Sequence, residues 1–208
     1  MSQEKNLEYL YDSSETNDSH NILLPAVDRI VREFSPATVF DLGCGNGSVA
    51  KHLSDRCVVT GIDPSKSAVA IANKAYPDLR IESGSAYDDL RARYGTFDMV
   101  LSLEVVEHLY DPRAFARNVY ELLNPGGTAV ISTPYHGYFK NLTLAVTGRM
   151  DAHFWALWDG GHIKFWSIRT LGMLLKEAGL EVSRFERVGR IPAIAKSMIA
   201  IAKKRSSG

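Results

Sequence analysis

The chain has 208 residues, of which 45% are hydrophobic and 23% are charged, so it can bury the core of one globular domain but is short for two. Its 24 Lys and Arg residues balance 24 Asp and Glu residues, which excludes the overall positive charge that attracts nucleic acid. The cysteines, Cys44 and Cys57, are too few for a disulfide framework or a site of paired cysteine ligands, and they indicate a reduced, cytoplasmic protein.

The first 21 residues are polar, with acidic and hydroxyl side chains crowded between Asp12 and Asp18. Such a segment suits either a frayed terminus or a lid that orders over a bound ligand. We expect a flexible lid over residues 1–21 and a single domain over residues 22–208. The first residues lack the apolar core of a signal peptide, and no run of about eighteen apolar residues is present to span a membrane.

From Ile22 to Phe34 the apolar residues recur at helical spacing, which predicts a helix packed against a sheet. The stretch from Val39 to Asp63 then predicts a nucleotide-binding β-α-β unit: a strand, a glycine turn, a helix, and a strand that ends at Asp63. Glycines let a ligand approach the backbone N–H groups, and the acid accepts hydrogen bonds from a ribose. The glycines of the turn are Gly43, Gly45 and Gly47.

The spacing of these glycines separates two classes of nucleotide. A dinucleotide fingerprint needs glycine or alanine where this chain has Ser48, so a nicotinamide-dependent oxidoreductase fits poorly. With Asp41 before the first glycine, the run Asp-Leu-Gly-Cys-Gly-Asn-Gly resembles the first motif of the class I S-adenosylmethionine-dependent methyltransferases. The resemblance implies that the turn holds the methionine and adenosine parts of S-adenosylmethionine. The contacts implied in this unit come from Asp41, Gly43, Gly45, Gly47, Asp63 and Pro64.

A capped helix to about Ala75 and a short strand from Leu79 to Glu82 follow. The next turn, Gly84–Asp88, lies beside the adenine in the resembled family. This likeness implies cofactor contacts from Ser85, which stands where the family often has an acid, and from the backbone of Ala86.

The segment from Phe97 to Leu103 is almost continuously apolar, as expected for a central parallel strand that is covered on both faces. Ligands of open α/β sheets bind beyond the carboxyl ends of the strands, so Leu103 and Glu104 should border the same crevice as the glycine turn. The elements that follow are a helix from Pro112 to Leu123, a turn over Asn124–Gly127 and a strand from Thr128 to Thr133. Their sequence resembles a later motif of the same methyltransferase class.

The last predicted elements are a helix from Ser167 to Ala178 and two strands, Glu181 to Val188 and Ser197 to Ala202. In the resembled family these strands form a final hairpin, and the last strand is antiparallel in an otherwise parallel sheet. We therefore expect an α/β fold with a doubly wound, mostly parallel seven-stranded sheet and an antiparallel last strand, the Rossmann-like methyltransferase fold.

The segment Glu104-Val-Val-Glu107-His108 carries the candidate chemistry. If a helical turn begins near Glu104, the three polar residues lie on one face, where they could bind a divalent ion or place His108 as a general base. The segment resembles a motif shared by ubiquinone-biosynthesis O-methyltransferases and small-RNA 2′-O-methyltransferases, in which these positions can ligate a metal. The RNA enzymes add a downstream histidine, which His162 could supply.

The same pattern also occurs in relatives without a metal, where the first glutamate contacts the cofactor amine. We therefore expect His108, His162 and Glu104 to be catalytic, and Leu103 and Glu104 to contact the cofactor. A divalent metal held by Glu104, Glu107, His108 and His162 is the alternative.

Residues 135–165 form a predicted insertion rich in aromatic side chains, where the family builds its substrate walls. Two interpretations are open: a cap that completes the core, or a wall of a pocket for an aromatic or lipid-like acceptor. In the second, residues 138–158 could also contact a membrane surface, since Lys140 and Arg149 accompany the aromatic residues.

The resemblance is closest to the ubiquinone-biosynthesis O-methyltransferase group, although the family's arginine for the cofactor carboxylate has no counterpart in Ser19–Ile22. It implies S-adenosylmethionine as cofactor and O-methylation of a small hydroxylated acceptor that is phenolic, quinol-like or lipid-like. Two alternatives are a metal-dependent RNA 2′-O-methyltransferase, which the neutral net charge opposes, and a non-catalytic protein that binds S-adenosylmethionine. The oligomeric state stays open.

Overall fold

The structure is a computed structural model that describes residues 13–14, 18–157, 161–189 and 191–206, without the side chains of residues 18, 19 and 192. Most of the segment predicted as a lid therefore lies outside the described residues. Trp158, at the end of the predicted membrane-facing stretch, lies outside them as well.

The described chain forms one sheet of seven strands in the order β3-β2-β1-β4-β5-β7-β6. The strands are β1 Thr38–Leu42, β2 Val58–Asp63, β3 Arg80–Ser83, β4 Phe97–Leu103, β5 Leu123–Pro134, β6 Leu180–Val188 and β7 Ser197–Lys204. Strands β1 to β5 pair in parallel, whereas β7 runs antiparallel to both β5 and β6. The predicted fold class and the antiparallel last strand are confirmed.

Helices cover both faces of this sheet. They are α1 Asp18–Phe34, α2 Ser48–Leu53, α3 Lys66–Ala75, α4 Leu90–Tyr94, α5 Pro112–Leu122, α6 Tyr138–Val146, α7 Met150–His153 and α8 Ile168–Glu177. Since alternate side chains of a strand point to opposite faces, Val39 joins a core with α1, α2 and α3, and Phe40 joins a second core with α4, α5 and α8. The sheet is therefore doubly wound, and its central strands place apolar side chains on both faces.

Local signals explain most of the element boundaries. The Ser65 hydroxyl accepts the N–H of Ala68 and caps α3, and Ser167 forms a capping box with Thr170 at the start of α8. Helix α1 begins at Asp18, before the predicted start, and continues through Pro25.

The predicted turn at Asn124–Gly127 lies inside strand β5. Phe97 of β4 pairs with Leu123 and Met99 pairs with Thr128, so the intervening residues of β5 bulge out of the ladder. Gly126 has a φ of 82°, which a glycine adopts at little cost. The composition of Asn124–Gly127 predicts a chain reversal, but in the structure β5 continues in the same direction after the bulge.

The insertion does not complete the core. Helices α6 and α7 bury none of their residues. Several large apolar side chains are exposed instead, including Tyr138, Phe139, Leu142, Val146, Trp155 and Leu157. Of the two interpretations of this insertion, the one that places it inside the core is wrong.

Candidate active site

The glycine turn is fastened to the end of β2. The backbone N–H groups of Gly43 and Cys44 both donate to the carbonyl of Ile62, at 2.9 Å each. Gly43 has a φ of 86°, and a Cβ atom there would lie 2.4 Å from Cγ2 of Val105. Only glycine fits this close approach, which also places the turn directly against the segment that joins Glu104 to Glu107.

Asp63 shapes this turn. One carboxylate oxygen accepts the N–H of Gly45 at 2.8 Å, and the other accepts the N–H of Ser65 at 2.9 Å. Burial raises the pKa of Asp63, while these two hydrogen bonds oppose the rise. Each carboxylate oxygen has further lone pairs for a ligand hydroxyl. The sequence indicated the ribose role but not this second one of holding the turn.

Asp41 lies beneath the turn with 2% of its surface exposed. Its Oδ2 atom has no hydrogen-bond partner among the described residues. Burial, and next the charge of Asp63, raise the pKa of Asp41 to about 7. A buried carboxylate in this state favours a cationic ligand, which would restore its ionised form.

The turn predicted to meet adenine is held by a side chain that the sequence analysis did not single out. Asn118 of α5 donates to the carbonyls of Ala86 and Asp88, at 2.8 and 2.9 Å. The N–H of Ser85 donates to the carboxylate of Asp88 at 2.8 Å. An Asn on an amphipathic helix gives no signal of this contact, because the contact depends on how α5 packs.

Glu104 does not share a helix face with the two polar residues that follow it. It has a φ of 56°, and only a short 3-10 turn, Val106–His108, comes after it. Its carboxylate accepts the hydroxyls of Ser132 at 2.8 Å and Ser197 at 3.3 Å. Burial raises its pKa to about 7 against these hydrogen bonds. The predicted helical face is therefore wrong, and the predicted metal set loses Glu104.

The structure brings the remaining three candidates together. Ligand atoms of Glu107, His108 and His162 all lie within 4.8 Å of one another. The imidazoles of His108 and His162 are 4.9 Å apart between ring centroids. Two backbone hydrogen bonds of 2.9 Å, from Ile163 and Lys164 to the carbonyl of Glu107, hold the His162 segment in place.

Burial shifts the pKa values of Glu107 and His162 in this cluster. Glu107 is 1% exposed, and neither of its carboxylate oxygens has a hydrogen-bond partner among the described residues. Burial and then the charge of Glu104 raise its pKa well above the usual value, and polar contacts with its own backbone and with Thr133 only partly oppose this rise. Burial and next His108 lower the pKa of His162 to about 4. His162 is therefore a neutral imidazole near pH 7, the state that can ligate a metal.

The described part of the N-terminal segment crosses the glycine turn. The side chain of Asn46 donates to the carbonyl of Ser13 at 2.8 Å, and the hydroxyl of Tyr76 donates to the carbonyl of Ser14 at 2.9 Å. Sequence reasoning singled out neither donor, because both contacts depend on where the terminus folds back.

Comparison with known proteins gives a consistent result. A protein-family model described as a methyltransferase domain matches residues 17–184. The ubiquinone biosynthesis O-methyltransferase of Ruegeria pomeroyi is 32% identical over 156 residues, which cover 72% of this chain and 62% of that protein, less than two thirds of its length. The ubiquinone biosynthesis O-methyltransferase of Chromobacterium violaceum is 33% identical over 192 residues, which cover 86% of this chain and 80% of that protein.

One solved structure extends the comparison to the fold. Magnesium protoporphyrin IX methyltransferase from Synechocystis PCC 6803, with bound SAH, has a TM-score of 0.67 and 18% identity, and the match covers 92% of this chain and 89% of that chain. At this identity the likeness concerns the fold alone.

Proposed function

Because the chain belongs to the methyltransferase domain family, we propose that it transfers the methyl group of S-adenosylmethionine to an oxygen atom of a small hydroxylated acceptor. The observation that carries this proposal is the contact between Gly43 and Val105. It sets the cofactor turn against the segment that bears Glu107 and His108, at the sheet edge where α/β proteins bind ligands.

On the cofactor side, the chain contributes bare backbone and two acids. The N–H groups of the glycine turn and the carboxylate of Asp63 suit adenosine, and the buried Asp41 suits the positive charge of the ligand. The turn at Ser85 and Ala86, with Leu103 and Glu104, completes the proposed cofactor site. When bound, S-adenosylmethionine supplies an electrophilic methyl group on a good leaving group.

On the acceptor side, the chain must orient a hydroxyl group and remove its proton. Nδ1 of His108 lies 3.2 Å from the carbonyl of Gly161, a contact that makes Nδ1 the protonated nitrogen. Nε2 of His108 is then the nitrogen that would take the proton of the acceptor hydroxyl. In this proposal His162 lines the same site. Glu104 is largely buried beside the site, and its charge acts on Glu107.

The test replaces the proposed base. His108→Ala should lower the transfer of labelled methyl to a panel of phenols and quinols roughly 100-fold or more, because general-base catalysis contributes about that factor. Its affinity for S-adenosylhomocysteine, measured by calorimetry, should stay within about twofold of wild type, as should both quantities in the exposed-site control His52→Ala. An unchanged transfer rate would remove His108 from the mechanism.

The three-residue cluster also supports a second candidate, a metal-assisted transfer. Two imidazoles and a buried carboxylate without a hydrogen-bond partner fit a divalent cation, which Glu107, His108 and His162 would hold. Such an ion would supply Lewis-acid stabilisation of the acceptor oxygen. Loss of transfer on addition of EDTA, with recovery on addition of Mg²⁺ or Mn²⁺, favours this candidate; a rate unaffected by EDTA favours His108 acting alone.

Two further parts of the chain support proposals about access. We propose that the N-terminal segment is a lid, a role supported by the contacts of Ser13 and Ser14 across the glycine turn.

We also propose that residues 138–158, which begin with α6, rest on a membrane surface, which would deliver a lipid-like acceptor. Exposed Tyr138, Phe139 and Leu142 support this second proposal. Within the described part of the chain, no helix has the length and apolar character needed to cross a membrane.

A further inference from the structure

Glu104 is held in a strained backbone conformation. Its φ of 56° lies in the left-handed region, which among the described residues it shares with one other non-glycine residue, Ser35. Ser35 is exposed at the end of α1, whereas Glu104 follows β4 at the sheet edge where the ligand is proposed to bind. A non-glycine residue keeps such a conformation only where its surroundings hold it, and residues of this kind cluster at functional sites.

Two serines from two other strands hold Glu104. The hydroxyl of Ser132 in β5 donates to Oε1 of Glu104 at 2.8 Å, and the hydroxyl of Ser197, the first residue of β7, donates to Oε2 at 3.3 Å. The backbone N–H of Glu104 donates to the same Ser132 hydroxyl at 3.0 Å. Both serines are buried. Each carboxylate oxygen therefore has a neutral donor in a fixed position, and the side chain has one orientation.

The neighbours of Glu104 in the chain place its carboxylate beside the glycine turn. Val105, the next residue, has its Cγ2 atom 2.4 Å from the position of a Cβ atom on Gly43. Leu103, the preceding residue, pairs with Ser132 in the ladder between β4 and β5. The serines and the glycine turn thus meet at the carboxyl ends of the strands, where α/β sheets bind their ligands.

We propose that Ser132 and Ser197 are positioning residues, which direct the carboxylate of Glu104 toward the ammonium group of the amino-acid part of S-adenosylmethionine. The inference rests on the proposed function, and it deepens that function by naming the part of the cofactor that these side chains recognise. A carboxylate is costly to bury in its ionised form, and two neutral hydroxyl donors offset only part of that cost. An ammonium group of the ligand supplies a charge-assisted hydrogen bond as well.

The charges around Glu104 are consistent with a cationic ligand. Burial raises the pKa of Glu104 to about 7, while the two serine hydroxyls and then the charge of Lys140 oppose the rise. The ammonium group of Lys140 also donates to the carbonyl of Tyr135, at 3.1 Å. A ligand ammonium group beside Glu104 would stabilise the ionised carboxylate further, whereas a ligand anion would be repelled by it.

The experiment compares two ligands that differ in the amino-acid part. S-Adenosylhomocysteine carries this part, and 5′-methylthioadenosine lacks it but keeps the adenosine. Calorimetry with the full chain gives both dissociation constants, and their ratio measures recognition of the amino-acid part. Glu104→Gln, Ser132→Ala and Ser197→Ala should each weaken S-adenosylhomocysteine binding roughly 5-fold or more. Binding of 5′-methylthioadenosine should stay within about twofold of wild type, because the lost contact does not involve adenosine.

Two further variants separate positioning from packing. Ser197→Thr keeps a hydroxyl group and should retain the wild-type ratio. Ser102→Ala is the matched control, since it removes an equally buried hydroxyl, which donates to the carbonyl of Leu42 at 2.7 Å instead of to Glu104. This variant should also leave the ratio unchanged. Circular dichroism shows whether each variant retains the fold.

A wild-type ratio in Glu104→Gln, or in both Ser132→Ala and Ser197→Ala, would overturn the inference. An equal loss of affinity for both ligands would overturn it as well, because a purely structural role of the serines predicts that pattern. Failure of the proposed function has a different signature. A chain that shows the expected ratios but transfers no methyl group fails the function and keeps the inference, and a wild type that binds neither ligand fails both.

Discussion

Asp41 and Asp63 lie in the adjacent strands β1 and β2 and end up close together under one turn. The pKa of Asp41 is raised to about 7 in the fold, from an ordinary value of 3.8. A carboxyl group with a raised pKa stabilises the fold at low pH, and that contribution is lost as the pH rises through 7. In the ligand-free protein, ionisation of Asp41 near neutral pH therefore lowers the free energy of unfolding, and a bound cation would offset this loss.

Asp41→Asn tests this loss. The variant removes the buried charge. Its free energy of unfolding relative to wild type should therefore be about 3 kcal/mol more favourable at pH 8 than at pH 5. Its affinity for S-adenosylmethionine should fall. Urea unfolding of the ligand-free proteins at both pH values measures the first effect, and calorimetry measures the second.

Asp98→Asn is the matched control, with the opposite sign. A hydrogen bond from Asn124 lowers the pKa of Asp98, so this carboxylate stabilises the fold above its ordinary pKa, and its removal should destabilise the protein at pH 8. An Asp41→Asn advantage that is equal at both pH values would contradict the account of Asp41.

The contacts of several site residues could not be predicted from the sequence alone. His108 and His162 are far apart in the chain, and a family resemblance was needed to connect them; the structure places their rings together. Glu104 could not be placed, because its positive φ and its bonds to Ser132 and Ser197 depend on β5 and β7. Asn118, Ser132 and Ser197 carry no local signal of their contacts, since each meets its partners only after the sheet forms.

At the scale of elements, the contacts of the N-terminal segment predict a kinetic effect. Tyr76→Phe removes the hydroxyl that holds the carbonyl of Ser14, and Asn46→Ala removes the amide that holds Ser13. If the segment covers the cofactor, each variant should release S-adenosylhomocysteine several-fold faster, since each lost hydrogen bond is worth about 1 kcal/mol. Stopped-flow displacement measures this rate. Tyr110→Phe, at a site 79% exposed, is the control. Release rates equal to wild type in both Tyr76→Phe and Asn46→Ala would contradict a lid role for the segment.

The exposed face of α6 predicts a second effect at this scale. Leu142→Glu or Phe139→Glu should reduce co-sedimentation with vesicles of phosphatidylcholine and phosphatidylglycerol, because a charge opposes burial of that face among lipids. Met173→Glu introduces the same charge at an exposed position of a different helix, α8, and should have no effect. Wild type that fails to sediment with these vesicles would contradict a membrane role.

Elements with complete local signals were predictable, and those shaped by packing were not. Strand β4 has the predicted bounds Phe97–Leu103, because an almost continuous apolar run between polar neighbours fixes both limits. Ser65 and Ser167 are caps that can be read directly from sequence. The turn at Asn124–Gly127 has the composition of a reversal but is a bulge in β5, since the choice depends on pairing with β4.

For the whole molecule, the order of motifs along the chain was enough to predict a doubly wound sheet with an antiparallel last strand. Composition could not show which side of the insertion faces water, because an aromatic segment fits a core and an interface equally well. We propose that the side chains of that insertion select the acceptor, and no general motif describes them, so the sequence predicts the cofactor site in more detail than the acceptor site.

The most direct test of the central claim is calorimetric titration of S-adenosylhomocysteine into wild type, Asp63→Ala and the exposed-site control Asp55→Ala. Wild type and the control should bind alike, and Asp63→Ala should bind roughly 10-fold or more weakly, because the variant loses both the proposed ribose contact and the hydrogen bond from Gly45. Wild type that does not bind, or an Asp63→Ala variant with wild-type affinity, would contradict the account.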